Sequence, residues 1–257
     1  MVDSLVGTGF KTKKYIRDMI VVIDKDELIE FINKKVEEQG SKIVVRDKDE
    51  FEKPKHKIVV KDKNELIELI NQRMKEQGLS CNLNDIDVSH ITDMSYLFYG
   101  SPFMGDISRW DVSNVTNMCC MFKRSNFNGD ISQWDTSSVR YMVSMFEDSS
   151  FNGDISKWDV SSVESMRGMF TGSIFHGDIS KWDVSKVKDM HSMFDNSRFD
   201  GDISQWDVSE VAHMRYMFYN STFNGDISKW DVSKVKDMYS MFAFSSLEGH
   251  EPSWYKK

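Results

Sequence analysis

The sequence predicts a repeat solenoid, in which short coils of chain stack on one another in an elongated domain. Tryptophan recurs at a constant interval, at Trp110, Trp134, Trp158, Trp182, Trp206 and Trp230. Methionine keeps the same period from Met94 to Met238, and the copies share the consensus GDISxWDVSxVxxMxxMFxxSxFN. A fixed period of this length indicates stacked units with one shared core, so residues 82–249 are interpreted as seven 24-residue units.

Each unit is expected to contain one short parallel strand. In the unit that begins at Asp106, the apolar Trp110 and Val112 alternate with the charged Arg109 and Asp111. Because the side chains of a strand point alternately to its two faces, the apolar pair is predicted to point into the core.

The second half of each unit is predicted to form one short α- or 3-10 helical turn. Val115, Met118, Met121 and Phe122 share one face at helical spacing, and Ser113 is placed to cap the turn. A serine also recurs late in every unit, and a serine fixed at a turn is expected to bond backbone groups. These serines are Ser101, Ser125, Ser149, Ser173, Ser197, Ser221 and Ser245.

Residues 1–81 are predicted to form an N-terminal α/β region with duplicated strand–helix units at 18–40 and 58–78. The two copies, which end at Gly40 and Gly78, are identical at most of their positions. The additional copy at 18–40 is a candidate for homodimer formation through the N-terminal region.

The copy at 58–78 has clear signals for the two ends of its helix. Asp62 and Glu65 have the spacing of a capping box, and Gly78 provides a C-terminal stop. The apolar face of the predicted helix consists of Leu66, Ile67, Ile70 and Met74.

The acidic charge is concentrated in the repeats. Residues 1–81 carry 17 basic and 16 acidic residues, whereas residues 82–257 carry 16 and 25. A nucleic-acid-binding surface needs a basic stripe, so nucleic acid is not an expected partner. No apolar run approaches the roughly 18 residues of a membrane helix, and the N-terminus lacks the apolar segment of a secretory signal. Membrane insertion is therefore not expected, and the expected location is the cytoplasm.

Stacking would align aspartates in two columns, one from Asp87 to Asp231 and one from Asp106 to Asp226. Carboxylates about 4.8 Å apart repel by about 3–4 kcal/mol at an effective dielectric of about 20. The columns are therefore expected to be exposed, with backbone amides and neighbouring cations as partners. A calcium-binding ladder is the open alternative, although the GGxGxD spacing typical of such ladders is absent.

The sequence lacks the patterns of known catalytic sites. Cys81, Cys119 and Cys120 form no CxxC or metal-finger spacing and are expected to be reduced thiols. There is no HExxH, GxSxG or phosphate loop. The sequence thus predicts no catalytic residues, no cofactor and no metal site, and a protein that is not an enzyme.

The repeat GDISKWDVSSVxxMxxMFxxSxFNG resembles that of bacterial leucine-rich-repeat surface proteins of the BspA type, over all seven units. The resemblance implies a right-handed, leucine-rich-repeat-like solenoid. It also implies that residues 57–81 cap the N-terminal end and that Trp254 and Tyr255, within the tail 250–257, close the other. It implies roles in attachment or protein recognition. Many members of that family carry export signals that this sequence lacks, so a cell-surface or signal-independent secreted location is the alternative to the cytoplasm.

Positions that vary between units cluster on the predicted helical segment, opposite its apolar face. Exposed aromatic and arginine side chains anchor protein interfaces, so this face is the candidate protein-binding face. Its residues are Tyr96, Tyr99, Arg124, Tyr141, His213, Tyr216, Tyr219 and Phe244. The predicted function is a non-enzymatic protein-binding scaffold. The alternatives are a cell-surface adhesin and an acidic inhibitor or immunity-like protein that mimics nucleic acid through its Asp columns.

Overall fold

The structure is a computed structural model that describes residues 57–256 and four two-residue strands near the N-terminus. The chain divides into two compact units, Met1–Lys55 and His56–Lys257. The predicted strand–helix copy at 18–40 lies outside the described residues apart from Met19–Ile20, and so does the homodimer role expected of it.

In the unit Met1–Lys55, the described strands form two antiparallel pairs. Val6 pairs with Lys11 in one and Lys14 pairs with Ile20 in the other. The strands are β1 (Val6–Gly7), β2 (Phe10–Lys11), β3 (Lys14–Tyr15) and β4 (Met19–Ile20).

The unit His56–Lys257 begins with β5 (Ile58–Val59) and the helix α1 (Lys63–Gln77). The Asp62 carboxylate accepts hydrogen bonds from the N–H groups of residues 64 and 65 at 2.9 and 3.0 Å, and Gly78 ends the helix with φ +89°. The predicted helix, its N-cap and its C-terminal glycine are thus confirmed. The capping box is shifted by one residue, because Glu65 accepts from the N–H of Lys61 and not from that of Asp62.

Helix α1 shares its core with the first repeat. Leu66 and Ile70 are buried, and the partly buried Ile67 and Met74 pack against the same cluster. Strand β5 pairs in parallel with β6 (Ile86–Asp87). In the first repeat, Ile86 occupies the position that tryptophan holds in later repeats. This smaller residue lies in β6, beside β5.

Backbone hydrogen bonds join consecutive repeats in one register. Parallel bridges connect equivalent residues of neighbouring repeats, from Asp93–Asn117 through to His213–Asp237. Beside them, N–H groups of alternate residues donate to carbonyls of the next repeat: Met118 to Tyr141, Cys120 to Val143, Phe122 to Met145 and Arg124 to Glu147, at 2.8–3.0 Å. We call the six donating stretches and the equivalent residues of the last repeat the ladder segments: residues 94–100, 118–124, 142–148, 166–172, 190–196, 214–220 and 238–244.

The ladder segments lie where the sequence predicts a helical turn, and the structure has no helix there. Cys120 and Arg124 have φ of +56° and +57°, in the left-handed region, which a right-handed helix cannot accommodate. These residues direct their N–H groups sideways to the next repeat instead of along the chain. The predicted helical turn is therefore wrong as a description of the backbone.

The strand predicted around Trp110 is also absent from the later repeats. Only β6 of the first repeat, which β5 pairs, is a strand at this position. In the next repeat the Trp110 indole N–H donates to the Leu83 carbonyl at 2.9 Å, so a side chain makes the link that a strand ladder would make. The indole bond recurs at 2.9–3.2 Å for Trp134, Trp158, Trp182, Trp206, Trp230 and Trp254.

The core consists of columns of like side chains. Trp110, Val112, Met118, Met121 and Phe122 are buried, as their positions in the repeat predict. The copies of Phe122, from Phe98 to Phe242, stack with centroids 5.5–5.8 Å apart and planes 2–10° from parallel. Such near-parallel rings are in the offset arrangement that aromatic pairs favour.

A serine and a glycine fix the turn that follows each ladder segment. The buried Ser125 hydroxyl accepts a hydrogen bond from the Phe127 N–H at 3.1 Å, which confirms the expected backbone role of the serines. At Gly129, a Cβ would lie 2.8 Å from the Phe127 ring, closer than side-chain carbons approach. The glycine of the consensus therefore makes room for the neighbouring phenylalanine.

Candidate interaction face

The outward side chains beside the ladder segments form what we call the ladder face. It consists of five columns that begin at Asp93, Ser95, Tyr96, Tyr99 and Gly100 and recur once in every repeat. The columns of Tyr96 and Gly100 have positive φ in all seven repeats. Left-handed backbone costs a residue with a side chain about 1–2 kcal/mol. Four ladder hydrogen bonds between each repeat and the next oppose that cost, so the backbone stays the same while the side chains vary.

Three of the predicted residues meet at the N-terminal end of the ladder face. The rings of Tyr96 and Tyr99, with exposed fractions of 58% and 45%, have centroids 5.8 Å apart. Arg124 Nε lies 3.3 Å from Asp148 Oδ2, and this bond and the nearby Tyr99 raise the pKa of Arg124. Contact with the Cys120 thiol raises the pKa of Tyr96, so its hydroxyl stays protonated at neutral pH.

Three other predicted residues meet at the C-terminal end. The ring of Tyr219 lies 5.4 Å from that of Tyr216 and 5.3 Å from that of Phe244. Tyr239, which the sequence analysis did not select, lies 5.7 Å from Tyr216. The three contacts are edge-to-face, at 78–80°. Tyr239 and Phe244 are among the most exposed rings of the described chain, at 60% and 68%.

An arginine binds two of these rings together. The Arg215 guanidinium carbon lies 4.8 Å from the Tyr216 centroid and 4.7 Å from the Tyr239 centroid, within range of a cation–π interaction. Arg215 also donates to the Tyr216 hydroxyl at 3.2 Å. His191 lies edge-on to Tyr216 at 6.1 Å, and burial lowers the pKa of its imidazole, which favours the neutral form.

Sequence reasoning missed His191, Arg215 and Tyr239 because it placed the segment on a helical wheel. All three belong to the column that begins at Ser95, which that wheel did not assign to the binding face. The column holds Ser95, Cys119, Val143, Arg167, His191, Arg215 and Tyr239. The variation of this column between repeats would have identified it if no helix had been assumed.

Tyr141 and His213 lie on the ladder face but outside both clusters. They occupy the bridge positions in the column of Asp93, and both are exposed. Neither ring takes part in the aromatic contacts of the described residues. The positions between the clusters carry small side chains at Ser144, Gly168 and Gly172. The ladder face therefore presents two separate aromatic clusters.

The two Asp columns are used in local turns. Asp154 accepts a hydrogen bond from the N–H of Ser156 at 2.9 Å, and this bond holds the pKa of the carboxyl below its usual value. Asp183 and Ser185 show the same arrangement in the other column. Within residues 57–256, no group of three or more His, Cys, Asp or Glu side chains is arranged to hold a metal ion.

The family described as Mycoplasma protein of unknown function, DUF285, matches residues 68–174 and again 147–254. The chain belongs to this family. The two overlapping matches cover the chain from within α1 to Trp254, as expected where one unit is repeated many times. Comparisons with curated proteins and with solved structures found no match. In the part of the chain that the structure describes, no helix has the length and apolar character to cross a membrane.

Proposed function

We propose that the chain is a non-enzymatic scaffold that binds a protein partner, built on a leucine-rich-repeat-like solenoid related to the BspA-type surface proteins. The constant register of hydrogen bonds between neighbouring repeats supports the solenoid. The observation that carries the binding role is the C-terminal cluster, in which the exposed Tyr239 meets the half-buried Tyr216 and Arg215.

Such a cluster suits binding for two physical reasons. Tyrosine and arginine are enriched among the few residues that dominate binding energy, each of which costs about 2 kcal/mol or more when truncated. The ladder holds their backbone, and Arg215 holds two of the rings, so docking would order few side chains. Tyr219 and Phe244 extend the apolar area beside them.

The test is capture of partners from a native lysate with the purified chain as bait. The double variant Tyr216→Ala/Tyr239→Ala should lose the captured proteins and keep the urea midpoint of the original chain. Tyr141→Ala is the matched control, because this tyrosine lies on the same face outside both clusters. The proposal is wrong if the double variant retains its partners as well as the control does.

The Asp columns support a second candidate, an acidic protein that mimics nucleic acid. Asp130, Asp154, Asp178, Asp202 and Asp226 are exposed or half-buried and held at one register by the same turn. A partner bound by these charges would dissociate between about 50 and 200 mM salt, whereas aromatic contacts are insensitive to that change. The salt dependence of capture therefore separates the two candidates.

A further inference from the structure

The last ladder segment, residues 238–244, has no following repeat within the described chain. In each of the six repeats before it, four N–H groups of the ladder segment donate to carbonyls of the next repeat. The equivalent donors here are the N–H groups of Met238, Ser240, Phe242 and Phe244. Among residues 57–256, the first three have no acceptor for their hydrogen bonds.

The fourth donor, the N–H group of Phe244, has a side-chain acceptor in place of a backbone carbonyl. The Phe244 N–H donates to the Glu248 carboxylate at 2.8 Å. One repeat earlier, the equivalent N–H of Asn220 donates to the Ala243 carbonyl at 2.9 Å. Glu248 thus takes the place of a backbone carbonyl at one end of the row. Among residues 57–256, the N–H groups of Met238 and Ser240 have no acceptor and belong to half-buried residues. Phe242, in contrast, is only 1% exposed and packs against the rings of Trp254 and Tyr255.

A groove of about 470 Å³ runs along this row of donors. Its walls include Met238, Ser240, Phe242 and Tyr255, so the N–H groups of Met238 and Ser240 lie beside apolar surface. A strand edge with unpaired N–H groups is a template on which another chain can pair.

We propose that this edge binds an extended segment of a separate polypeptide, whose main-chain carbonyls accept from the N–H groups of Met238 and Ser240, which belong to half-buried residues. The inner repeats define the fit. There, the Arg140 N–H donates back to the Thr116 carbonyl, and the carbonyls of residues 141 and 143 accept from the repeat before. A bound segment that spans the same stretch would reproduce this pattern, with its first N–H donating to the Lys236 carbonyl, which accepts no bond among the described residues.

The other end of the ladder argues against a second copy of the chain as the occupant. A copy would have to offer the carbonyls of its first ladder segment, residues 94–100, and of the residue before it. Helix α1 runs along that segment: Lys63 donates to Ser95 at 2.8 Å, and Met74 lies 4.0 Å from Ser101. Among residues 57–256, helix α1 therefore covers the first ladder segment, whereas Met238 and Ser240 of the last one have no hydrogen-bond acceptor.

A peptide with the sequence of residues 163–174, VESMRGMFTGSI, is the probe. It has glycine at both positions where the ladder backbone is left-handed, because Gly168 and Gly172 each have φ +62°. Glycine adopts that conformation without steric cost. The control peptide carries proline at both positions, because the ring of proline excludes positive φ.

Amide hydrogen exchange of the full chain, followed residue by residue by NMR, gives the readout. With saturating probe, exchange at Met238 and Ser240 should slow at least about tenfold. The matched inner amides of Met214 and Tyr216, which donate to carbonyls of the next repeat, should exchange slowly with and without the probe. The control peptide should protect none of the edge amides.

The variant Glu248→Ala sharpens the experiment, because it frees the fourth donor. Phe244 should then join the amides that the probe protects. Unchanged exchange at Met238 and Ser240 with saturating probe would overturn the proposal. So would protection that rises with protein concentration alone, together with a dimer in sedimentation, because the occupant would then be a second copy. The readout needs no lysate partner, so it succeeds or fails independently of the proposed role of the ladder face.

Discussion

The core and the ladder face of the repeats differ in what is repeated. In the core the side chain recurs, and the copies of Phe122 are phenylalanine in every repeat. On the ladder face only the backbone recurs, and the column of Tyr96 changes from tyrosine to cysteine, serine and glycine while its φ stays between +51° and +62°. The comparison teaches that packing requires particular residues, whereas hydrogen bonding along the ladder admits almost any side chain.

This division suits a binding protein. A face whose backbone is held by hydrogen bonds can change its side chains without disturbing the core beneath. In the columns of Tyr96 and Ser95, the repeats between the two aromatic clusters carry no aromatic residue: the positions hold Val143, Ser144, Arg167 and Gly168. Substitutions in the core and on the ladder face should therefore change the free energy of unfolding by different amounts and in opposite directions.

Trp158→Phe should have the largest effect on stability, because it acts on the core. The variant keeps a buried ring but loses the indole N–H that donates to the Ile131 carbonyl at 3.0 Å. We expect the free energy of unfolding, measured in urea, to fall by about 1–3 kcal/mol. The matched control is Trp254→Phe, which breaks the same bond at a partly exposed site and should cost less. Equal losses of unfolding free energy in the two variants would show that the contribution of the indole bond does not depend on its burial.

The sequence predicts which tryptophans are buried, but it does not predict the hydrogen bonds that their indole N–H groups make. Its period and the alternation around Trp110 identify the buried positions, because burial follows from apolar side chains at fixed spacing. The alternation does not reveal whether backbone or side chain makes the link to the next repeat. A strand was therefore predicted where the tryptophan side chain makes that link.

Ser144→Gly should have a smaller effect of opposite sign, because it acts on the ladder. Ser144 has φ +52°, and glycine removes the cost of the left-handed backbone, about 1–2 kcal/mol, at an entropic cost of about 0.5–1 kcal/mol. We expect a net gain of about 0.5–1 kcal/mol in the urea experiment. Ser138→Gly, at a half-buried serine of the same repeat without positive φ, should lose about 0.5–1 kcal/mol. The left-handed ladder would be in doubt if both variants were destabilised.

The ladder itself could not be predicted from spacing. Val115, Met118, Met121 and Phe122 fit a helical face, and they are buried together as a helix would bury them. The same spacing also fits turns in which every fourth residue is left-handed, and most left-handed positions here hold residues other than glycine. Variation between repeats therefore identified the candidate face. The predicted helix, however, excluded the column of Arg215 from it.

The hydrogen-bonded turns of the two Asp columns predict how the stability of the fold depends on pH. Backbone hydrogen bonds from serine lower the pKa of Asp154, Asp178 and Asp202, among others, whereas burial raises that of Asp195. A carboxyl whose pKa is lower in the folded chain stabilises the fold above its unfolded pKa of about 3.9, and this stabilisation is lost as pH falls through the folded value. The urea midpoint should therefore be lower at pH 3 than at pH 6.

Asp178→Asn should produce the smallest of these effects. Asparagine keeps a side-chain oxygen to accept the Ser180 N–H, which Asp178 accepts at 2.9 Å, but it does not titrate. The difference between the midpoints at pH 6 and pH 3 should shrink slightly, because one of many such carboxyls no longer contributes. An unchanged difference between the two midpoints would mean that the charge of Asp178 contributes nothing measurable to the pH dependence. The pH dependence would then have to come from carboxyls outside the Asp columns, such as Glu164 in its pair with Arg140.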